Sequence, residues 1–332
     1  MKAILMTGAG GPEVLQQTEI PTPEVQHSSQ ILVRLQAAGV NPIDTKLRKR
    51  GTFYPDQMPA VLGCDGAGVV EAVGANVQRF NVGDHVYFCN GGLGAGPGNY
   101  AEFALVDERF VASKPESLSF AAAAAAPLVL ITAWEALYDR GHLEAGRQVL
   151  IHAGAGGVGH VAIQLAKLSG AHVYTTVSSV DKAEFVRQFG AEPIFYTQVD
   201  VASDVLSRTN GEGVDLGFDT VGGDVLSQTF AATKIYGDVV TLHNPDPKTH
   251  WKTARNRNLR ISYELMLTPM LSGLVEAQSD QAKILQQCAR LIDQGDLTIV
   301  LNQTFPLAAA AEAHRRLEEG AMVGKVALLI QS

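Results

Sequence analysis

The chain has 332 residues and a formal net charge of −8, with 46% hydrophobic against 18% charged residues. Its length suggests two domains, its apolar share suits large buried cores, and its acidic balance argues against nucleic acid, which asks for a basic stripe. The three cysteines, Cys64, Cys89 and Cys288, are odd in number and have no paired spacing, which excludes a disulfide framework and fits a reducing cytoplasm.

The first residues, Met1-Lys2-Ala3-Ile4-Leu5-Met6, are followed too soon by glycines to read as a signal peptide. Residues 1–120 alternate short β runs with Gly and Pro turns. Strands are predicted at 31–35, 67–73 and 85–88, with a tight turn over 80–86. This half reads as a small β barrel. The apolar run Ala121 to Ile131 is much shorter than the ~20 residues of a membrane span.

From about residue 122 the pattern changes. Strands at 149–153, 172–177, 193–196, 214–218, 238–242 and 259–263 alternate with helices at 157–169, 181–189, 200–209 and 223–233. Near-continuous apolar strands separated by helices predict a buried, doubly wound parallel sheet. The tail predicts a helix at 276–294, a strand at 297–300, a helix at 308–319 and a strand at 324–330. The fold class is therefore α/β. A nucleotide domain at 123–269 is inserted into a split outer domain of 1–122 and 270–332.

The most specific local signal lies at 148–168. The apolar run Gln148-Val149-Leu150-Ile151 breaks into Gly154, Gly156 and Gly159, and a helical pattern follows. Strand, G-x-G-x-x-G and helix make a dinucleotide fingerprint. Gly154 permits the tight turn, Gly156 lets the backbone approach a pyrophosphate, and Gly159 lets helix and strand pack closely. Gly157, Val158 and Gly159 open the helix, whose free N–H groups and positive dipole end suit phosphate.

Several motifs then carry a resemblance over essentially the whole chain. They are Asn41-Pro42-Ile43-Asp44-Thr45-Lys46, Leu62-Gly63-Cys64-Asp65-Gly66, Val82-Gly83-Asp84-His85-Val86, Leu130-Ile131-Thr132-Ala133-Trp134, the glycine fingerprint, and the closing Gly324-Lys325-Val326. In this combination the chain resembles the medium-chain dehydrogenase/reductase superfamily, in its zinc-free quinone oxidoreductase (zeta-crystallin-like) branch. The resemblance implies a GroES-like β-barrel catalytic domain, a Rossmann domain and an active site in the cleft between them. It also implies a homodimer, paired through sheet-edge strands near 259–265.

Zinc members of that superfamily place a Cys where this chain has Asn41, a His in a G-H-E triplet that here reads Gly63-Cys64-Asp65, and a third ligand before the fingerprint, where Ala126-Pro127-Leu128-Val129-Leu130 offers none. A catalytic zinc needs three protein ligands. The expectation is no metal, with Cys64 and Cys89 as packed thiols rather than partners of Asp65 and His85 around an ion.

Cofactor choice falls on the end of the second Rossmann strand, where an acidic residue would hydrogen-bond the ribose 2′-OH of NAD. Here Ser178 stands at that place, followed by Ser179 and Lys182, with Asp181 as the expected helix cap. The resemblance assigns a 2′-phosphate to Ser178, Lys182 and Tyr196, and hence NADP(H) as cofactor. Without a Lewis acid to absorb oxyanion charge, the hydride acceptor should be conjugated: a quinone, or an α,β-unsaturated carbonyl.

Candidate proton or hydrogen-bond donors are Asn41 and Tyr54, with Asp44 either catalytic, orienting Lys46 or closing a turn. Thr132 is expected at the start of its helix near the nicotinamide, and Lys325 is a further cofactor candidate. His243 either lines the nicotinamide pocket or closes a strand end. Met266–Leu271 supplies an apolar substrate wall or plain core. The competing readings are an enal/enone double-bond reductase and a low-turnover NADPH-binding protein that senses redox state or binds partners. The acidic charge weighs against an RNA-binding version of the latter.

Overall fold

Alternating burial along the first segments shapes a barrel-like set of strands. The computed structural model describes residues 1–330. Its first elements are β1 (Lys2–Met6), β2 (Leu15–Glu19), β3 (Gln30–Val40), α1 (Pro42–Arg50), β4 (Ala60–Val61), β5 (Asp65–Val73), β6 (His85–Cys89), β7 (Phe103–Asp107), β8 (Val111–Ser113) and α2 (Phe120–Ala124). β1 runs between β2 and β4, antiparallel to both.

β3 organises this unit. Ile31, Val33 and Leu35 point inward at a period of two, into a core with Val70, Phe80, Val86, Phe88, Val106 and Val111. It pairs antiparallel with β5 and β7.

The second compact unit begins within α3 (Pro127–Trp134) and comprises Val129–Met266 with Asp296–Thr298. It holds β9 (Gln148–Ile151), α4 (Gly157–Leu168), β10 (His172–Val177), α5 (Val180–Gln188), β11 (Glu192–Phe195), α6 (Val201–Arg208), β12 (Val214–Asp219), α7 (Asp224–Ala232), β13 (Thr233–Thr241), α8 (Trp251–Asn256) and β14 (Arg260–Tyr263). The strands form one parallel sheet in the order β11-β10-β9-β12-β13-β14. Sheet order reverses between β9 and β12, the switch point of a doubly wound fold. β10 and β12 are buried on both faces along most of their length because helices cover both. Leu150, Tyr174, Ile194, Val201 and Val205 build one core, and Leu226, Phe230 and Val239 another.

The chain then returns to the first unit with α9 (Thr268–Leu271), α10 (Val275–Asp293), β15 (Leu301–Pro306), α11 (Ala310–Glu318) and β16 (Lys325–Leu329). β16 pairs with the second half of β3, Ala37–Val40, and β15 extends that sheet.

One predicted strand is displaced. Residues 297–300 are not a strand; β15 begins at Leu301. Leu297 and Ile299 are buried, which accounts for the apolar pattern. The backbone of Thr298, however, is taken by a side chain: Gln164 of α4 donates to Thr298 O at 3.0 Å and accepts from Thr298 N–H at 2.8 Å. Among the described residues no helix is long and apolar enough to cross a membrane.

Candidate active site

The turn leaving β9 is built by steric exclusion. Ala153 takes a left-handed φ of +52°, and its carbonyl accepts from Gly156 N–H at 2.9 Å. A Cβ at Gly154 would run into the Thr175 hydroxyl, and one at Gly159 into the Ala153 carbonyl oxygen. At Gly156 a Cβ would press on Ala153 O at 3.2 Å and meet no other atom within 4 Å, a milder conflict than at Gly154 or Gly159. Gly156 is the N-cap of α4, whose first turn is Gly157, Val158 and Gly159. N–H groups in a first turn have no partner within the helix and carry the positive end of its dipole.

A cavity of about 410 Å³ lies at the carboxyl ends of these strands, lined by His152, Ala153, Thr176, Tyr196, Asp200 and Val221 among others. These residues follow or end β9, β10, β11 and β12, on both sides of the switch point. That is where ligands sit in open α/β sheets.

The residues expected around the ribose fall nearby in the chain. Ser178 and Lys182 are half-buried and Tyr196 is 53% exposed. Ser179 caps α5, accepting from Lys182 N–H at 3.3 Å, so the cap predicted for Asp181 belongs to Ser179. Asp181 lies in the first helical turn, where its charge suits the dipole. Thr132 sits well inside α3, not at its start, and is buried. His243 closes a turn: its Nε2–H donates to Thr220 O at 3.2 Å. Asp219 closes the neighbouring turn, accepting from Val221 N–H and Gly222 N–H at 2.9 and 2.8 Å and from the Thr241 hydroxyl at 2.9 Å.

In the first unit, Asn41, Asp44 and Lys325 come together in a buried polar network. Asn41 precedes α1. Asp44, in the first turn of α1, reaches back to accept from Asn41 N–H at 2.8 Å, so it does close a turn. The Asn41 amide is held at both ends: its Nδ2 donates to Asp65 at 2.8 Å, and its Oδ1 accepts from the Lys325 ammonium. Lys325 is 4% exposed and also donates to Val40 O at 3.5 Å; the partners recorded for its ammonium are backbone and amide oxygens of this unit. The second Asp65 oxygen accepts from Leu128 N–H at 2.9 Å.

Burial pushes the Asp44 carboxyl up to about 7, against the hydrogen bonds from Asn41 and Tyr100 that favour its charge. Burial likewise raises Asp65 and lowers Lys325, each restrained by the other's opposite charge.

Two further members of this network, Tyr100 and His314, and the neighbouring Arg48 carry no sequence motif. Tyr100 OH donates to Asp44 at 3.0 Å and lies 3.2 Å from His314 Nε2. Arg48, one helical turn after Asp44, is fully buried and paired with Glu318. The only available signal was the i, i+4 spacing of Asp44 and Arg48; Tyr100 and His314 are distant in sequence.

Cys64 and Cys89 are buried, hydrogen-bonded to one another, and free. His85 is exposed and packs on Phe120 at 4.9 Å instead. Among the described residues no group of three or more His, Cys, Asp or Glu could hold a metal ion.

Tyr54 is half-buried and is placed elsewhere in the same unit. It lines a cavity of about 260 Å³ with Asn90, Leu93, Pro97, Met270 and Gln278. Of the expected apolar wall, Met270 reaches this cavity, while Met266 and Leu267 are core residues.

Comparison with known proteins bears on both units. Residues 27–116 match the family described as alcohol dehydrogenase GroES-like domain, and residues 189–328 that described as zinc-binding dehydrogenase. The chain is 36% identical over 334 residues to a quinone oxidoreductase of Pseudomonas aeruginosa, covering 99% of each. Among solved structures it is similar to an NAD-dependent alcohol dehydrogenase, with a TM-score of 0.90, 34% identity and 100% of each chain covered. It is also similar to the Escherichia coli quinone oxidoreductase complexed with NADPH, with a TM-score of 0.87, 29% identity, and 99% and 100% covered.

The raised Asp44 value has a direct consequence for stability. The native state holds this proton up to about pH 7, whereas an unfolded Asp releases it near 3.8, so ionising Asp44 costs stability as pH rises between those values. Asp44→Asn keeps an oxygen to accept from Asn41 N–H and Tyr100 OH but cannot ionise. Urea midpoints at pH 4.5 and 7 should therefore show the variant gaining on the parent at the higher pH. An unchanged difference would mean that Asp44 titrates normally.

Proposed function

The chain belongs to the quinone oxidoreductase family of the medium-chain dehydrogenase/reductase superfamily, and we propose that it passes a hydride from NADPH to a quinone or similar conjugated carbonyl without a catalytic zinc ion. It is an oxidoreductase, and its cofactor is NADP(H). The observation that carries the reading is the glycine-built cradle at the carboxyl edge of the sheet. A Cβ is excluded where packing is tightest, at Gly154 and Gly159, and would also crowd the Ala153 carbonyl at Gly156, so the turn runs as bare backbone into the first turn of α4.

In this reading Gly157, Val158 and Gly159 hold the pyrophosphate through the N–H groups of the first turn of α4, while Gly154 and Gly156, whose N–H groups donate to Thr176 O and Ala153 O, shape the backbone around it. Ser178, Lys182 and Tyr196 take the 2′-phosphate. A neutral hydroxyl and a cation at the end of β10, with no carboxylate at Ser178, support this choice over the NAD of the similar alcohol dehydrogenase. Bound there, the cofactor supplies the hydride. Thr132 and His243 stay assigned to its nicotinamide end. Ser179 and Lys325 do not, since one caps α5 and the other is enclosed with Asn41.

Zinc independence rests on what Asn41 touches. Where zinc enzymes put a cysteine ligand, this chain puts an amide committed to an ammonium on one side and a carboxylate on the other. A dication at that place would face the Lys325 charge and compete with that ammonium for the amide oxygen. The lysine already supplies positive charge beside Asp65. Tyr54, on the rim of its own cavity, is the side chain assigned to hydrogen-bond the acceptor's oxygen.

We also assign a cytoplasmic location, consistent with three buried free thiols, and a homodimer joined at β14. That strand is an open edge of the sheet with Tyr263 50% exposed, and Leu265, two residues beyond its end, 53% exposed.

Three measurements test these assignments. Chelator-dialysed protein should oxidise NADPH with quinones and yield hydroquinone or semiquinone. A saturated carbonyl from enals alone would assign the double-bond reductase, and tight NADPH binding with no turnover would assign a binding protein. Ser178→Asp should shift preference toward NADH by about tenfold or more, the size of one lost charge-assisted contact; equal affinity of the parent for both cofactors would refute the phosphate site. Sedimentation velocity should show a dimer that a Lys placed at Ile261 disrupts; a monomeric parent would remove β14 as an interface.

A further inference from the structure

We propose that His152 is a positioning residue for the cofactor: its neutral ring, held in one tautomer between Thr176 and Thr229, sets the left-handed turn at Ala153 that aims the phosphate cradle. This rests on the dinucleotide reading above. His152 follows β9 and is 2% exposed. Its backbone is tied to the β12 side of the switch point, with N–H donating to Phe218 O at 3.0 Å and C=O accepting from the Thr220 hydroxyl at 2.7 Å.

The hydrogen bonds fix the ring's protonation. The Thr229 hydroxyl donates to Val225 O at 2.7 Å, so its oxygen is left to accept from His152 Nε2–H at 3.0 Å. Nδ1 is then an acceptor and faces the Thr176 hydroxyl at 3.4 Å. The same Thr176 oxygen accepts from Ala153 N–H at 2.9 Å, and the Thr176 carbonyl accepts from Gly154 N–H at 3.3 Å. A directed chain therefore runs from Ala153 N–H through Thr176 and His152 to Thr229 and Val225. Burial, working against the nearby Asp219 charge, pushes the ring down to about 4, which keeps it neutral in this chain.

Ala153 is the part that needs holding. It is not glycine, yet it occupies φ +52°, which an L residue adopts at a cost. Its carbonyl orients Gly156 N–H at 2.9 Å, immediately before the first turn of α4. With His152 gone, the Thr176 hydroxyl loses the acceptor that directs its proton, Ala153 is free to relax toward negative φ, and the cradle N–H groups turn away from the phosphates. Thr229 is also left as a buried oxygen without its donor.

The test is the NADPH dissociation constant, read by nicotinamide fluorescence, together with the melting temperature of each variant. His152→Leu and Thr176→Val should each weaken NADPH about tenfold, the scale of one buried hydrogen bond. The double variant should be no weaker than the worse single, because both break the same chain. His152→Asn, whose Oδ1 can stand in for Nδ1, should recover affinity to within about threefold of the parent. His172→Ala, a surface position on the same sheet, should leave NADPH affinity unchanged. A folded His152→Leu protein with parental affinity and only a lowered melting temperature would overturn the proposal. Should that variant fail to fold, parental affinity in Thr176→Val would overturn it equally. Failure of the parent chain itself to bind NADPH would instead refute the cofactor reading.

Discussion

The interaction on which the second unit depends is the contact between the Ala153 carbonyl and the start of α4. It lets a strand turn straight into a helix at the one edge of the sheet where crossovers diverge to both sides. Any side chain at Gly154 or Gly159 would push strand and helix apart. Ala153, which makes this contact, also lines the cavity at the carboxyl edge, so the turn that packs strand against helix borders that cavity as well.

The first unit solves a different problem. It encloses two carboxylates, a lysine, an arginine and a histidine, groups that are costly to bury unless paired. Each is tied to another through short links: Asp44 to Asn41 and Tyr100, Asp65 and Lys325 to the two ends of the Asn41 amide, and Arg48 to Glu318. Removal of one partner would leave the others charged and dry. The network therefore acts as a unit, and the roles of Asn41 and Asp44 cannot be separated from those of Tyr100 and Lys325.

Legibility in the chain followed the range of the interactions. The parallel sheet was readable because its strands are short β runs, mostly buried, and its helices repeat at regular intervals. The glycine turn was readable because its glycine spacing lies within a dozen residues, although Thr175 and Thr176 of β10 constrain it as well. Reading failed where a distant group intervened. Residues 297–300 have a strand's pattern, but the Gln164 amide occupies the backbone of Thr298, so no ladder forms there. Asp181 looked like the cap of α5, yet the helix starts earlier and Ser179 caps it. Nor did the closing motif show that Lys325 is tied to Asn41 across 284 residues of chain.

Local chemistry along the chain settled the two-part organisation, the dinucleotide fingerprint, and the absence of a carboxylate at Ser178, because backbone periodicity and steric demand at glycine are properties of neighbouring residues. Only the tertiary structure decided which polar residues share a buried environment. Asn41, Asp65, Tyr100, His314 and Lys325 meet through strand pairing and helix packing over long separations. His152 became a hub only when β10, α7 and the segment after β12 brought three threonines around it. Burial is a property of the folded whole, and it is burial that makes each of these hydrogen bonds matter.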